Sequence, residues 1–193
     1  MVSFNYAYNL TLNNEGGYVN DPDDLGGETY KGISRASNKH WSGWVLIDYY
    51  KELDGFPESL YNNTALNINV RTFYKANYWD ANSLGKCPSQ NIANELFDTG
   101  VNLGVGKAAE FLQTTLNTLN KNNKIYDDLV VDGKIGPKTL KALNACIDYR
   151  GDEYIYKILN ILQGIQYIKY TITNPIMEKY LYGWLNRVTF IRK

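Results

Sequence analysis

This chain of 193 residues carries, near its N-terminus, the segment Asn14-Glu15-Gly16-Gly17-Tyr18-Val19-Asn20-Asp21-Pro22-Asp23-Asp24-Leu25-Gly26-Gly27-Glu28-Thr29. Before the segment, apolar residues recur at helical spacing from Phe4 to Leu12 and predict an amphipathic helix that ends at Gly16-Gly17. Within it, the glycine pairs and the Asp-Pro step interrupt regular structure. We therefore expect a loop or a small hairpin over residues 18–33.

Beyond this segment, the apolar pattern is that of helices, with few strands. Ser34 is a candidate N-cap for a helix that carries Trp41, Trp44, Val45 and Tyr49, and another helix is expected over about residues 68–79. Amphipathic stretches follow from Ile92 to the glycines at 100–106, from Ala108 to Leu119, and over about 137–147, 152–172 and 175–187. The fold class is thus mainly α, a multi-helix globule with a small loop or hairpin lobe after the first helix.

The composition excludes several classes of function. Twenty basic and twenty acidic residues cancel, which argues against a nucleic-acid-binding protein and against a polybasic membrane patch. Cys87 and Cys146 lack the spacing of a metal or redox motif, and the single histidine, His40, leaves no histidine-based zinc site or acyl-transfer triad. We expect no metal and no organic cofactor. We also see no signal peptide and no membrane-spanning run, which predicts synthesis in the cytoplasm without a signal.

Glu15 is the strongest candidate for chemistry. A carboxyl in the last turn of a helix lies at the negative end of the helix dipole, which raises its pKa, and partial burial beside Tyr18 acts in the same direction. A carboxyl that stays protonated is what general acid catalysis of glycoside hydrolysis requires. The alternative is a solvated glutamate at the end of a helix, with Gly16 as an ordinary C-cap.

A second catalytic group is expected in the loop that follows. Asp24 precedes a Leu-Gly-Gly turn that can direct its carboxylate across a cleft, and the Thr29 hydroxyl can hold a water molecule. Asp21 and Asp23 flank Pro22 and are expected to cap turns. Glu28 also lies within reach in the sequence.

These motifs resemble glycoside hydrolase family 108, the N-acetylmuramidases of phages and of bacterial secretion. The resemblance rests on Glu15-Gly16-Gly17-Tyr18 and on the spaced residues from Asp21 to Ile33. It continues through Tyr78-Trp79, Phe97-Asp98-x-x-Val101-Asn102-x-Gly104, Leu112-Gln113, Val131-Asp132-Gly133-Lys134-Ile135-Gly136-Pro137-x-Thr139 and Gly183-Trp184-Leu185-Asn186-Arg187. The segment from Val131 to Thr139 is similar to the peptidoglycan-binding module that closes this family.

The resemblance implies an α+β, lysozyme-like fold and a peptidoglycan hydrolase of the endolysin type that cleaves the β-1,4 bond between N-acetylmuramic acid and N-acetylglucosamine. It makes Glu15 the catalytic acid. As in phage lysozymes, an aspartate (Asp24) follows nine residues later. Thr29 comes five residues after Asp24, whereas the threonine of those lysozymes comes after six. Inverting and retaining mechanisms both stay open. The candidate substrate-binding residues are Tyr18, Tyr30, Trp79 and Asn102. The alternatives are a non-catalytic peptidoglycan-binding protein and a hydrolase of chitosan or chitin.

Two residues of the second half have a structural alternative. Asp98 and Asn102 lie one helical turn apart. Asp98 is either a second acid or an ion-pair partner of Arg187, and the second role is favoured. Asn102 is either a sugar ligand or a residue that fixes the nearby glycine-rich bend.

We divide the chain into a catalytic region, residues 1–87, and a peptidoglycan-binding-like helical region, residues 88–193, packed into one compact unit. The expected partners are peptidoglycan glycan strands and a holin or secretion apparatus for export. The protein is expected to be a monomer that acts in the periplasm or at the cell wall.

Overall fold

The computed structural model describes residues 1–12, 16–20 and 27–189. The chain forms two compact units, one of residues 12–77 and one of residues 1–11 together with 78–193. We refer to them as the small unit and the large unit. The division predicted at residues 87 and 88 stays a prediction.

In the described residues, eight α-helices accompany one three-stranded sheet. The helices are α1 Phe4–Leu12, α2 Gly43–Lys51, α3 Thr64–Tyr74, α4 Gln90–Leu103, α5 Val105–Leu119, α6 Pro137–Arg150, α7 Glu153–Thr173 and α8 Glu178–Leu185. The strands are β1 Tyr18–Val19, β2 Thr29–Tyr30 and β3 Ile33–Ser34. Three 3-10 turns, Glu58–Leu60, Leu84–Lys86 and Pro175–Met177, and one π-helix, Lys75–Asp80, complete the order. A mainly α fold with a small β element after the first helix is thus confirmed.

The sheet of the small unit is an antiparallel meander in the order β1-β2-β3. Tyr30 of β2 lies opposite Tyr18 of β1 and Ile33 of β3. Lys31 and Gly32 form the β2–β3 turn with positive φ angles of 44° and 77°. The sequence predicted a loop or a hairpin here, and the structure adds a third strand.

The start predicted for the helix after Ser34 is wrong. Ser34 ends β3, and α2 begins at Gly43, where Ser42 occupies the N-cap position without a capping side-chain bond. The Ser34 carbonyl instead accepts hydrogen bonds from both the backbone N–H and the side-chain amide of Asn38. The Asn38 carbonyl in turn accepts the indole N–H of Trp44 at 2.8 Å. These bonds hold residues 35–42 as turns.

The next helix starts earlier than predicted because it is capped. The Asn63 side chain accepts a hydrogen bond at 2.9 Å from the backbone N–H of Leu66, which satisfies one free donor of the first turn. The α-helix therefore begins at Thr64, and after Tyr74 the chain continues as the π-helix. The expected segment of about 68–79 covers parts of both.

The core of the large unit lies where α4, α5 and α7 pack together. Phe4 of α1 contacts Trp79 and Phe97, with ring centroids 5.7 and 5.8 Å apart. Gly104 separates α4 from α5 with a φ of 94°, a conformation that side chains disfavour. Pro137 stands at the start of α6, where its missing N–H costs nothing.

The segment from Asp132 to Thr139 is joined to α5 through one buried amide. The side-chain carbonyl of Gln113 accepts the backbone N–H groups of Asp132 and Gly133, both at 3.0 Å. Its NH₂ group donates to the Asp132 carboxylate at 2.7 Å and to the Lys134 carbonyl at 3.0 Å. The segment is therefore an integral part of the large unit.

None of the helices in the described ranges has the length and apolar character needed to span a membrane.

We expect Gln113→Ala to lower the free energy of unfolding by about 2–4 kcal/mol, because four hydrogen bonds between the buried Gln113 amide and residues 132–134 are lost together. Chemical denaturation followed by circular dichroism measures this. The matched control is Asn144→Ala, which removes an exposed amide bonded only within its own helix and is expected to cost less than about 0.5 kcal/mol. Equal losses in the two variants would contradict the role assigned to Gln113.

Candidate active site

Two of the predicted catalytic residues, Glu15 and Asp24, lie outside the described residues, as do Asp21 and Asp23. The backbone that follows Glu15 is described from Gly16 onward. A Cβ atom on Gly17 would lie 2.3 Å from the Tyr61 ring, so a larger residue here would require the Tyr61 side chain to move. The Gly17 carbonyl also accepts the Lys31 N–H at 3.1 Å. The chain directly after Glu15 is therefore tied to the sheet.

Thr29 lies on β2, the central strand of the meander. It pairs with Val19 on one side and Ser34 on the other, and its side chain is partly exposed. The Thr29 hydroxyl donates to the Gly27 carbonyl at 3.2 Å. The hydroxyl proton is thus used locally, and the oxygen keeps lone pairs that can accept a hydrogen bond from water or substrate.

Glu28, immediately before Thr29, is the centre of a charged network that we call the Glu28 network. Its carboxylate lies 2.6 Å from the Lys51 ammonium and 3.0 Å from the Arg35 guanidinium. Arg35 also forms a two-pronged pair with Asp48, both N–O distances being 2.6 Å. Lys51 and Asp48 belong to α2, whereas Glu28 and Arg35 flank β2 and β3. The network therefore fastens the sheet to α2.

The protonation of Glu28 follows from its neighbours. Burial acts to raise the pKa of Glu28, but hydrogen bonds and charge from Lys51 and Arg35 outweigh burial and leave the pKa below its ordinary value of 4.5. The same carboxylate raises the pKa of Arg35, for which the bond to Asp48 is the largest cause. A carboxyl that is ionised at neutral pH and held between two cations cannot donate a proton to a leaving group. Glu28 is therefore a structural residue.

Tyr18 lies beside this network. Its ring packs edge-on against Phe56 at 4.7 Å, and the Lys51 ammonium lies 5.7 Å from the ring centroid. Burial is the first cause that raises the pKa of the Tyr18 phenol, followed by the charge of Glu28, while Lys51 opposes both. The ring is partly exposed. Among the four predicted substrate-binding residues, it combines an accessible aromatic face with a polar group.

Two other predicted substrate-binding residues, Tyr30 and Trp79, are core residues. Tyr30 is fully buried, and its hydroxyl donates to the Leu60 carbonyl at 3.3 Å. Trp79 is 3% exposed and packs against Phe4 and Phe97 in the large unit. Sugar stacking needs an open ring face, which neither side chain offers. We therefore give both rings a packing role in place of the one expected from the sequence.

Asn102 and Asp98 lie on α4 in the large unit. The Asn102 side-chain amide donates to the Asp98 carbonyl at 2.8 Å, within the same helix. The Asp98 carboxylate accepts Arg187 at 2.8 Å and the Gln163 amide at 3.0 Å. Asp98 thus has the structural role that the sequence favoured. Asn102 is partly exposed, and its role as a sugar ligand stays a prediction.

The sequence analysis missed Arg35, Asp48 and Lys51. The sequence spacing of two of them could have indicated a charged pair, because Asp48 and Lys51 stand three residues apart on a helix and so share a face. Their partner on the sheet could not be deduced without the meander. In residues 1–12, 16–20 and 27–189, no cluster of three or more metal-ligating side chains occurs. In the same part of the chain, Cys87 and Cys146 are buried free thiols.

Comparison with known protein families gives two matches. The family described as "Glycosyl hydrolase 108" matches residues 8–104, about half of the chain. The family described as "Predicted Peptidoglycan domain" matches residues 107–189. The first match runs from α1 through α4 and the second covers α5 to α8. The two family segments therefore meet at the Gly104 bend, whereas the compact units divide at residues 12 and 78.

Comparison with solved structures gives eleven matching chains. One of them is described as "Structure of Brucella abortus SagA" and is 23% identical, with a TM-score of 0.60. The match covers 96% of this chain and 88% of the other. At this identity the likeness supports the fold. No curated protein matches the chain.

We expect Glu28→Gln to lower the free energy of unfolding by about 1–2 kcal/mol at neutral pH, because Lys51 and Arg35 lose a shared anion. The pKa of Glu28 is lowered by folding, so its contribution is complete above about pH 4.5 and is lost as the pH falls through the folded-state value. Denaturation at a series of pH values should show the deficit of the variant shrinking below pH 4.5.

The control for this experiment is Glu52→Gln, an exposed glutamate at the end of α2. It should change stability by less than about 0.5 kcal/mol. A deficit of Glu28→Gln that stays constant down to low pH would show that the Glu28 charge is not what stabilises the fold.

Proposed function

Because this chain belongs to the glycosyl hydrolase 108 family and carries a C-terminal peptidoglycan-binding module, we propose that it is an N-acetylmuramidase with Glu15 as its general acid. The family makes it a glycoside hydrolase that acts on peptidoglycan. The finer assignment is the β-1,4 bond that follows N-acetylmuramic acid. The observation that carries it is the position of Glu15-Gly16-Gly17 inside the matched region, at residues 8–104.

Glu28 supports this role for Glu15 by elimination. A general acid needs a raised pKa, and Glu28, the other glutamate of the segment from Asn14 to Thr29, has a lowered one. Glu15 is then the glutamate of this segment that can serve as proton donor.

For the second group we propose Asp24, with Thr29 holding a water molecule or a substrate hydroxyl. Thr29 supports this because its hydroxyl donates a hydrogen bond to the Gly27 carbonyl, while the hydroxyl oxygen keeps lone pairs that can accept one. Asp24 is assigned on the sequence alone. In this arrangement the aspartate stabilises the positive charge that develops on the sugar or activates water, and the glutamate protonates the leaving oxygen.

The place of action follows from the substrate. Peptidoglycan lies outside the cytoplasmic membrane, so we propose action in the periplasm or at the wall after release by a holin or a secretion apparatus. The Tyr18 ring, on strand β1 and partly exposed, is proposed to contact the glycan strand.

We expect Glu15→Gln to reduce lysis of purified cell walls by at least about 100-fold, because general acid catalysis contributes about 10²–10⁴-fold. Asp24→Asn should also lose activity, and both variants should keep the circular dichroism spectrum and melting temperature of the wild type. Turbidity of a wall suspension measures the rate. Full activity of a folded Glu15→Gln variant would remove Glu15 from the mechanism.

The bond is identified separately by mass analysis of digested walls. New reducing ends on N-acetylmuramic acid are expected. Reducing ends on N-acetylglucosamine would assign the other glycosidic bond, and cleavage of chitin or chitosan in place of wall material would assign a different polymer.

A further inference from the structure

Helix α7, residues Glu153–Thr173, carries an exposed apolar surface that neither the catalytic reaction nor the described packing of α7 uses. It consists of one tyrosine and five isoleucines spaced alternately by four and three residues. We call it the isoleucine stripe, and its members are Tyr154, Ile158, Ile161, Ile165, Ile168 and Ile172.

The spacing places all six side chains on one side of the helix. At about 100° per residue, the six positions fall within about 40° of a common direction. Five of them are 42–74% exposed, and Ile158 is partly exposed. The opposite side, with Ile155, Leu159 and Tyr167, is buried.

That buried side already forms the contacts α7 needs within the chain. It packs against α4 and α5, and the Gln163 amide bonds to Asp98 and Thr99 of α4. Tyr167 stacks on Trp184 of α8 with ring centroids 5.4 Å apart. The isoleucine stripe is therefore not part of the core, and it lies on the solvent-exposed side of α7.

We propose that the isoleucine stripe is the interface of a homodimer, in which α7 of one copy packs against α7 of a second copy. Alternation of four and three residues is the spacing by which two helices interlock side chains along a common seam. The partner must carry the same spacing, and a second copy of this chain supplies it. Reversed end to end, the stripe keeps its 4-3-4-3-4 order, so it suits a two-fold symmetric contact.

The size of the surface fits this occupant. Nineteen residues from Tyr154 to Ile172 extend about 27 Å at 1.5 Å per residue. Two such stripes bury on the order of 1,000 Å² together, about the minimum for a specific interface.

The charges argue against a membrane as the occupant. Helices that lie on a membrane carry a polar face rich in lysine and arginine, whereas the other face of α7 is protein core. Lys157, beside the stripe, is paired with Glu153 at 2.6 Å. The chain as a whole has equal numbers of acidic and basic residues. A glycan is also a poor fit, because sugars bind through aromatic faces and polar groups and the stripe is aliphatic apart from Tyr154.

The test is the mass of the full chain in solution, measured by size-exclusion chromatography with light scattering over a range of concentrations. We expect the wild type to reach twice the 22.1 kDa chain mass as concentration rises. Ile165→Glu, in the middle of the stripe, should raise the dissociation constant by at least about 100-fold, because each copy would bury an unpaired carboxylate. Ile172→Glu, at the more exposed end, should act in the same direction.

The matched control is Ile68→Glu, which changes an exposed isoleucine on helix α3 and is expected to leave dimerisation unchanged. Circular dichroism and wall lysis show that each variant is folded. A wild type that stays at the single-chain mass overturns the proposal, as does a folded Ile172→Glu variant that dimerises like the wild type. A wild type that stays at the single-chain mass but sediments with anionic lipid vesicles would assign the stripe to a membrane instead.

Discussion

The small unit depends on side-chain contacts to hold its sheet together. Each strand has only two residues, too few for backbone pairing alone to keep the sheet stable. The Glu28 network supplies what the pairing lacks. It joins both β2 and β3 to α2 through partly buried ion pairs, and the bidentate Arg35–Asp48 pair fixes orientation as well as distance. On the other side, the Tyr74 hydroxyl donates to the Lys31 carbonyl in the β2–β3 turn at 2.8 Å. The sheet is thus held by side chains from two helices.

The same contacts exclude Glu28 as the protonated acid. Glu28 and Glu15 flank one glycine-rich segment of the sequence, and glycoside hydrolysis needs one carboxyl that stays protonated. Lys51 and Arg35 hold Glu28 in its ionised form. Thr29, next to Glu28 in sequence, is then carried on a strand whose position is set by ion pairs and not by its own few backbone bonds. The fold of the small unit and the position of Thr29 therefore rest on the same four side chains.

The sequence predicted well the features with local causes. Helices α4 to α8 follow from apolar periodicity, and Gly104 and Pro137 mark two of their boundaries for reasons of backbone geometry. The start of α2 was wrong because Ser34 is capable of capping but its carbonyl is taken by Asn38, a contact that depends on a turn of the following residues. Tyr30 and Trp79 were placed at the substrate because aromatic rings suit both sugars and cores, and only packing distinguishes the two. Two members of the Glu28 network, Asp48 and Lys51, come from a helix about twenty residues away, which a local pattern cannot reveal.

The isoleucine stripe is a second feature that the sequence pattern alone could not locate. Helix α7 has apolar residues on nearly all sides, so periodicity identifies a helix but not which side is the core. The buried side includes Asn160 and Gln163, polar residues that a sequence analysis would assign to solvent, while four isoleucines of the stripe are exposed. The polar residues are buried because they have partners: the Gln163 amide bonds to α4, and the Asn160 side-chain carbonyl accepts the Thr189 N–H at 2.7 Å. Asn160 and Gln163 occupy the buried side of α7 and the isoleucine stripe lies opposite them, so a monomer, which the sequence suggested, would keep the stripe in water at a cost that association removes.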